Sequence, residues 1–159
     1  MIGVVALMVS NKIFSGEEPD VCRKILEETL TNHQMILLSY EVLPDEREAI
    51  VQRLQALCQA GGSPVVLTIG GTGVRPTDWV PEATREVIEK EIPGIPEAMR
   101  AESVKKVRTA MLSRGIAGIK EKTLIINLPG SVKGMKENCE VFLPLLDHIV
   151  EKIGHRTIK

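Results

Sequence analysis

Two kinds of residue in this sequence have the type and placing to do chemistry together: a cluster of glycines and a pair of aspartates. The glycines are Gly70-Gly71-Thr72-Gly73, set between an apolar stretch and a helical one. Glycine lets backbone N–H groups come close to an anion and adopts positive φ without steric cost. Such a loop, helped by a helix start, can cradle a phosphate. It is not a Walker A loop, because no Gly-Lys-Ser/Thr follows, and it is not the dinucleotide fingerprint, because Pro76 stands where the third glycine would be. A tight turn would use the same glycines, so the loop alone leaves both readings open.

The carboxylates are Asp45 and Asp78. Paired carboxylates can hold Mg²⁺, which bridges phosphate oxygens and offsets developing charge in phosphoryl transfer. Each also has a purely structural reading. Asp45 follows Pro44 and could cap the next helix; Asp78 could cap a turn ahead of Pro81. Two further motifs share this ambiguity. Arg114, in Ser113-Arg114-Gly115, could clamp a phosphate bidentately or sit solvated at a helix end. Ser131, in Pro129-Gly130-Ser131, could cap a helix whose start binds an anion, or simply cap it. His33, His148 and His155 are scattered and suggest loop or surface roles.

The elements that must position these residues follow from periodicity. Met1–Val9 is a near-continuous apolar run, expected of a strand buried on both faces. A polar loop, Ser10–Gly16, leads to a helix over roughly Glu18–Asn32. Met35–Leu43 reads as a second strand, and Asp45–Ala60 as a second helix ended by Gly61-Gly62. Pro64–Ile69 is a third strand running into the glycine loop. Helix is expected over Pro81–Glu91, and again after the Pro93–Pro96 break to about Leu112. Ile116–Ile119 and Thr123–Leu128 read as short strands around a turn. A helical region follows to about Ile153, with a frayed tail over His155–Lys159. Successive β-α units predict an α/β fold, a three-layer α/β/α sandwich with a mostly parallel sheet. Ligands of such sheets bind outside the carboxyl ends of the strands, where Ser10, Asp45, Gly70–Gly73 with Asp78, and Pro129–Ser131 all fall.

Bulk properties exclude several classes. The 159 residues suit one domain, expected to span 1–159. Net charge is −1 with both signs interspersed, unlike a nucleic-acid binder, and aromatics are only 3%, too few for a base-stacking platform. Cys22, Cys58 and Cys139 are widely spaced, with no zinc or disulfide pattern. Cys22 and Cys58 fall on apolar helix faces, and reduced thiols suggest the cytoplasm. The apolar start lacks a basic leader region and is too short to cross a membrane.

Beyond the individual motifs, their order and spacing resemble the MogA/MoaB family of molybdenum-cofactor biosynthesis proteins. The matching residues are Gly70-Gly71-Thr72-Gly73 followed, after four residues, by Asp78-Trp79-Val80-Pro81-Glu82-Ala83-Thr84. Further matches are Ile92-Pro93-Gly94-Ile95, Met99-Arg100-Ala101-Glu102-Ser103, Leu112–Gly118 and Asn127-Leu128-Pro129-Gly130-Ser131. Val9-Ser10, Ser15-Gly16 and Leu43-Pro44-Asp45-Glu46 match more loosely.

The pattern is similar to the adenylyltransferase branch, which implies transfer of AMP from ATP to the phosphate of molybdopterin, with Mg²⁺ and release of pyrophosphate. The resemblance further implies a homotrimer, with contacts to other enzymes of molybdenum-cofactor synthesis. It implies that Asp45 and Asp78 serve catalysis and metal. It implies that Ser10, Gly70, Gly71, Thr72, Gly73, Glu82, Ser103, Ser113, Arg114, Pro129, Gly130 and Ser131 bind the ligands. The sequence departs from the family pattern at Asn11, where Asp is frequent, in a short loop up to Val21, at Ile69 and Val80, where Thr is frequent, and at Val132, where Pro is. Those departures keep an alternative open: a molybdopterin-binding paralogue with little or no turnover.

Overall fold

The computed structural model describes residues 1–155; the rest of the expected frayed tail, residues 156–159, lies outside the described residues. Among the described residues six strands form one sheet, β1 (Ile2–Val9), β2 (Met35–Leu43), β3 (Val65–Ile69), β4 (Lys90–Glu91), β5 (Ala117–Lys120) and β6 (Thr123–Leu128). Their spatial order is β2-β1-β3-β6-β5-β4. The pairs β1–β2, β1–β3 and β3–β6 are parallel; β5–β6 and β4–β5 are antiparallel. The two central strands β3 and β6 are buried along their whole length, which explains their unbroken apolar sequences.

Helices cover both faces. On one side, α2 (Cys22–Asn32), α5 (Gly94–Val104), α6 (Val132–Phe142) and α7 (Leu146–Lys152) pack Leu26, Leu30, Met99, Met135, Phe142 and Leu146 against Val4, Ala6, Leu67 and Ile126. On the other, α3 (Arg47–Ala60) and α4 (Val80–Val87) pack Ile50, Leu54, Val80 and Ala83 against Val5, Leu7 and Val66. This is the expected three-layer sandwich. All three cysteines are free and buried, so the packing role read for Cys22 and Cys58 extends to Cys139. Burial pushes the Cys139 thiol up to about 12, leaving it protonated.

Several boundaries differ from expectation, each for a local reason. The polar loop after β1 contains one helical turn, α1 (Asn11–Phe14), capped by Ser10, whose Oγ accepts from the Ile13 N–H at 3.3 Å. The next helix starts at Cys22 rather than Glu18; Asp20 Oδ1 accepts from the Cys22 N–H at 3.0 Å and holds the chain in a turn just before it. The second long helix starts at Arg47, two residues beyond Asp45. The helix expected to reach Glu91 stops at Val87, and Lys90–Glu91 forms the edge strand β4. There Glu89 N donates to Ile119 O and Ile92 N to Ala117 O, so pairing with β5 overrides the helix propensity of Glu and Lys. Helix α5 begins at Gly94, inside the expected proline break, because Pro96 lies in its first turn, where no N–H is required. Beyond Val104 the helix gives way to a 3₁₀ segment, Arg108–Leu112.

Candidate functional site

Chain order reverses around β1: β2 lies on one side of it and β3 on the other. A doubly wound sheet opens a crevice at the carboxyl ends of such a strand pair, because the following loops leave in opposite directions. A cleft of about 630 Å³ lies there. Its lining includes Ser10, Asp45, Gly70, Gly71, Thr72, Gly73, Asp78, Ser103, Ser113, Pro129, Gly130 and Ser131. Twelve of the fourteen residues expected at the site therefore share one wall, drawn from the ends of four strands, from α5 and, at Ser113, from the end of the 3₁₀ segment. The remaining two, Glu82 and Arg114, stand behind that wall.

The glycine loop is sterically committed. Gly70 has φ +94°, and a Cβ there would sit 2.6 Å from the Val9 carbonyl oxygen. Gly71 has φ +66°, and a Cβ would meet Val80 Cγ2 at 2.5 Å. Both need glycine, so the loop is a tight turn; the question is where its amides point. Gly70 N donates to Leu128 O, stitching the loop to the end of β6. The N–H groups of Thr72, Gly73 and Val74 have no hydrogen-bond partner among the described residues, an arrangement that suits an anion.

Asp45 does not cap α3, whose N-cap is Glu46 without a side-chain bond. It forms a reciprocal pair with Asn11 instead. Asn11 N donates to Asp45 Oδ2 at 3.0 Å, and Asp45 N donates to Asn11 Oδ1 at 2.8 Å. The other oxygen, Asp45 Oδ1, faces the glycine loop, 3.7 Å from where a Cβ on Gly71 would be. Asp78 does hold a turn: its Oδ2 accepts from the Arg75 N–H at 2.9 Å. It does not cap α4, whose N-cap is Trp79. The same Oδ2 lies 2.9 Å from where a Cβ on Gly73 would be. Each carboxylate thus keeps one oxygen, Asp45 Oδ1 and Asp78 Oδ1, without a hydrogen-bond partner among the described residues, and both carboxylates flank the loop. No cluster of three or more His, Cys, Asp or Glu suited to a metal occurs among the described residues. Mg²⁺ needs no such cluster; it is commonly held by one or two carboxylates together with substrate phosphates, and Asp45 and Asp78 fit that pattern.

Arg114 is engaged by the protein itself. Its Nη1 donates to both carboxylate oxygens of Glu82 at 2.9 and 2.7 Å, its Nε to Gly73 O at 2.7 Å and its Nη2 to Asp78 O at 2.9 Å. The Glu82 carboxylate raises the guanidinium further above its ordinary range. Ser131 caps α6, accepting from Gly134 N at 3.1 Å, so its structural reading holds while it also lines the cleft.

Several positions carry more than sequence reasoning assigned to them. Asn127 is buried in β6; its Oδ1 accepts from Ile116 N at 3.1 Å, and its Nδ2 donates to Thr68 Oγ1 at 3.0 Å and Thr84 Oγ1 at 2.9 Å. An asparagine inside an apolar strand was the available signal, since a buried amide must find partners. Arg100 on α5 donates to Gly115 O at 2.9 Å and Ser113 O at 3.4 Å, fixing the 113–115 loop. Nothing in its local sequence marks it beyond membership of a motif. Arg75 and Lys133 add cationic groups to the cleft wall.

With this geometry in place, comparison with known proteins is direct. Residues 5–148 match the family described as "Probable molybdopterin binding domain". The chain is 39% identical over 154 residues to the molybdopterin adenylyltransferase of Helicobacter pylori strain J99, covering 96% of this chain and 88% of that protein. It is 40% identical over 152 residues to the molybdenum cofactor synthesis protein cinnamon of Drosophila melanogaster, of which it spans 25%. The crystal structure of the molybdopterin biosynthesis enzyme MoaB from Thermus thermophilus superposes with a TM-score of 0.93 at 41% identity, covering all of both chains. The strand order, the cleft at the switch point and these likenesses agree: this chain belongs to the molybdopterin-binding domain family of molybdenum-cofactor biosynthesis proteins.

Proposed function

We propose that this chain is a molybdopterin adenylyltransferase, joining the AMP moiety of ATP to the phosphate of molybdopterin. The observation that carries the reading is the row of unpartnered amides at Thr72, Gly73 and Val74, flanked by the carboxylates of Asp45 and Asp78. A binder of molybdopterin would need the amides for its single phosphate, but not a pair of carboxylates beside them, which repel an anion unless a cation lies between. An enzyme that gathers several phosphoryl groups needs donors for their oxygens and carboxylates to hold the counter-cation.

In the reaction, an oxygen of the molybdopterin phosphate attacks the α-phosphorus of ATP. A new P–O–P bridge forms, the α–β bridge breaks, and pyrophosphate departs with the bond pair. The nucleophile is already ionised near neutral pH, so no general base is required. The protein's part is positioning and charge stabilisation. Glycine-loop amides hold a phosphoryl group, and the start of α6 at Ser131 faces the same cleft. Ser10, Ser103 and Ser113 supply hydroxyls along the wall. Mg²⁺, held by Asp45 and Asp78, would supply neutralisation of the charge that develops on the leaving pyrophosphate.

The decisive experiment supplies purified protein with molybdopterin, ATP and Mg²⁺ and follows adenylylated pterin and pyrophosphate. Equal amounts of both products are expected. Tight molybdopterin binding without product at saturating ATP would replace the enzyme with a binding protein.

The reading includes a cytoplasmic homotrimer acting on small molecules and meeting other enzymes of the same biosynthesis. No helix among the described residues is long and apolar enough to cross a membrane. Exposed Val74, Met111 and Leu112 give apolar surface available to a protein contact. Light scattering at micromolar protein is expected to give three times the chain mass; a monomer mass would refute the trimer.

A further inference from the structure

Arg114 is a natural candidate for a phosphate ligand, yet all three of its guanidinium nitrogens are engaged by the protein. Its backbone N–H donates to Thr72 O at 2.8 Å, and its side chain takes Gly73 O, Asp78 O and both oxygens of Glu82. The Arg114 and Glu82 side chains are 39% and 30% exposed, and neither residue lines the cleft, while Thr72, Gly73, Val74 and Asp78 do. The peptide bonds of the described residues are all trans. In a trans peptide the carbonyl of one residue and the N–H of the next point to opposite sides of the chain. Gly71 O is turned to Val80 N at 3.2 Å, so the Thr72 N–H points away from α4. Thr72 O and Gly73 O are turned to Arg114, so the N–H groups of Gly73 and Val74 point away from it, and both residues line the cleft. The N–H groups of Thr72, Gly73 and Val74 have no partner among the described residues.

We propose that Arg114 is a positioning residue: held by Glu82, it pulls the carbonyls of Thr72, Gly73 and Asp78 to the outer side of the loop and thereby aims the loop's amides at a polyphosphate. The inference deepens the adenylyltransferase reading and rests on its assignment of the glycine loop to a phosphate. The planar five-donor fork is what the task needs. A lysine in its place would keep the charge but cannot hold two carbonyls and a bidentate carboxylate at once.

The test uses the intact protein with Arg114→Lys and Glu82→Gln, reading three quantities: the dissociation constant for inorganic pyrophosphate by calorimetry, the KM for ATP in adenylyl transfer, and the melting temperature. Loss of bonds to a charged group predicts that R114K weakens pyrophosphate binding and raises the KM for ATP by roughly 10- to 100-fold. E82Q is expected to weaken both in the same direction, although it removes a negative charge near the cleft. A direct cationic ligand gives the opposite sign at Glu82: E82Q binds pyrophosphate more tightly because the guanidinium is released. That pattern overturns the proposal. So does a fall in melting temperature with affinity and KM unchanged, which would make the pair a structural clamp only. Should R114K fail to fold, E82Q alone still separates these outcomes by the sign of its effect. Pyrophosphate affinity tests the positioning role even if the wild-type protein makes no adenylylated pterin, a result that would sink the enzyme reading instead.

Discussion

Asp45 and Asp78 are the same residue type on two sides of one glycine loop, and they are held by different means. The Asp78 carboxylate is fixed locally: its acceptor bond goes to Arg75, three residues back in the same turn, while only its backbone carbonyl is tied to distant Arg114. Asp45 is fixed at long range, by Asn11, 34 residues away in the first helical turn after β1. A local turn preserves its carboxylate wherever the loop goes. A reciprocal pair between two strand ends preserves its carboxylate only while β1 and β2 stay in register. The first side of the site is therefore a property of a segment, and the second a property of the sheet.

The largest expected effect tests what the two sides share. Asp45→Asn and Asp78→Asn each retain an oxygen to accept from Asn11 N or Arg75 N, so the fold survives. Each loses the charge proposed to hold Mg²⁺, and kcat is expected to fall at least about 100-fold, roughly 3 kcal/mol of transition-state stabilisation. Full turnover in both variants would reduce the aspartates to turn formers. A large loss in only one would show that the two sides are unequal in chemistry as well as in construction.

Next in size is the loop between them. Gly71→Val places a branched side chain at φ +66° and into Val80, with an expected loss of about 2–4 kcal/mol in stability together with pyrophosphate binding. Unchanged calorimetric affinity in folded protein would separate the loop from phosphate altogether.

A smaller effect distinguishes the long-range side from the local one. Asn11→Ala removes the acceptor for Asp45 N but leaves Asp78 untouched. A drop of about tenfold in turnover, with about 1 kcal/mol of stability lost, is expected. Asn11→Asp keeps the acceptor and adds a charge beside the proposed cation. It is expected to lower the Mg²⁺ concentration giving half-maximal rate by about threefold. Rates of N11A equal to wild type at limiting Mg²⁺ would mean that Asp45 needs no partner.

The smallest effect lies at the rim. Val132 is the first residue of α6, where an N–H has no helical partner, and Ser131 before it is extended at φ −77°, ψ 142°. Val132→Pro fits both constraints and is expected to raise stability by about 0.5 kcal/mol, with kcat unchanged, as read by thermal unfolding and steady-state rates. A destabilised variant would show that the partly buried Val132 side chain, which packs on the core, outweighs the backbone gain.

Sequence by itself determined the architecture, because short aliphatic runs at Met1–Val9, Pro64–Ile69 and Thr123–Leu128, bounded by turn residues, read as buried strands, and amphipathic segments between them must cover the sheet. The rule that ligands bind beyond strand ends gathered the candidate site residues at one rim, and the order of the motifs pointed to the family. Where the reading ran over, at Lys90–Glu91, the deciding bonds came from β5, nearly thirty residues away.

Tertiary structure alone decided what each polar residue holds. Asp45 reads in sequence as a helix cap or a metal-holding carboxylate, and it is oriented by Asn11; Arg114 reads as a phosphate clamp or a solvated helix-end cation, and its side chain is engaged by Glu82 and two carbonyls. The buried amide of Asn127 ties Ile116, Thr68 and Thr84 together, across separations of 11, 59 and 43 residues. Periodicity reports which face a residue occupies, a local property of 2.0 or 3.6 residues per repeat. A hydrogen-bond partner depends on which strand ends the sheet order brings together. That order, β2-β1-β3-β6, places the chain's first loop, its glycine turn and its last strand end around one cleft.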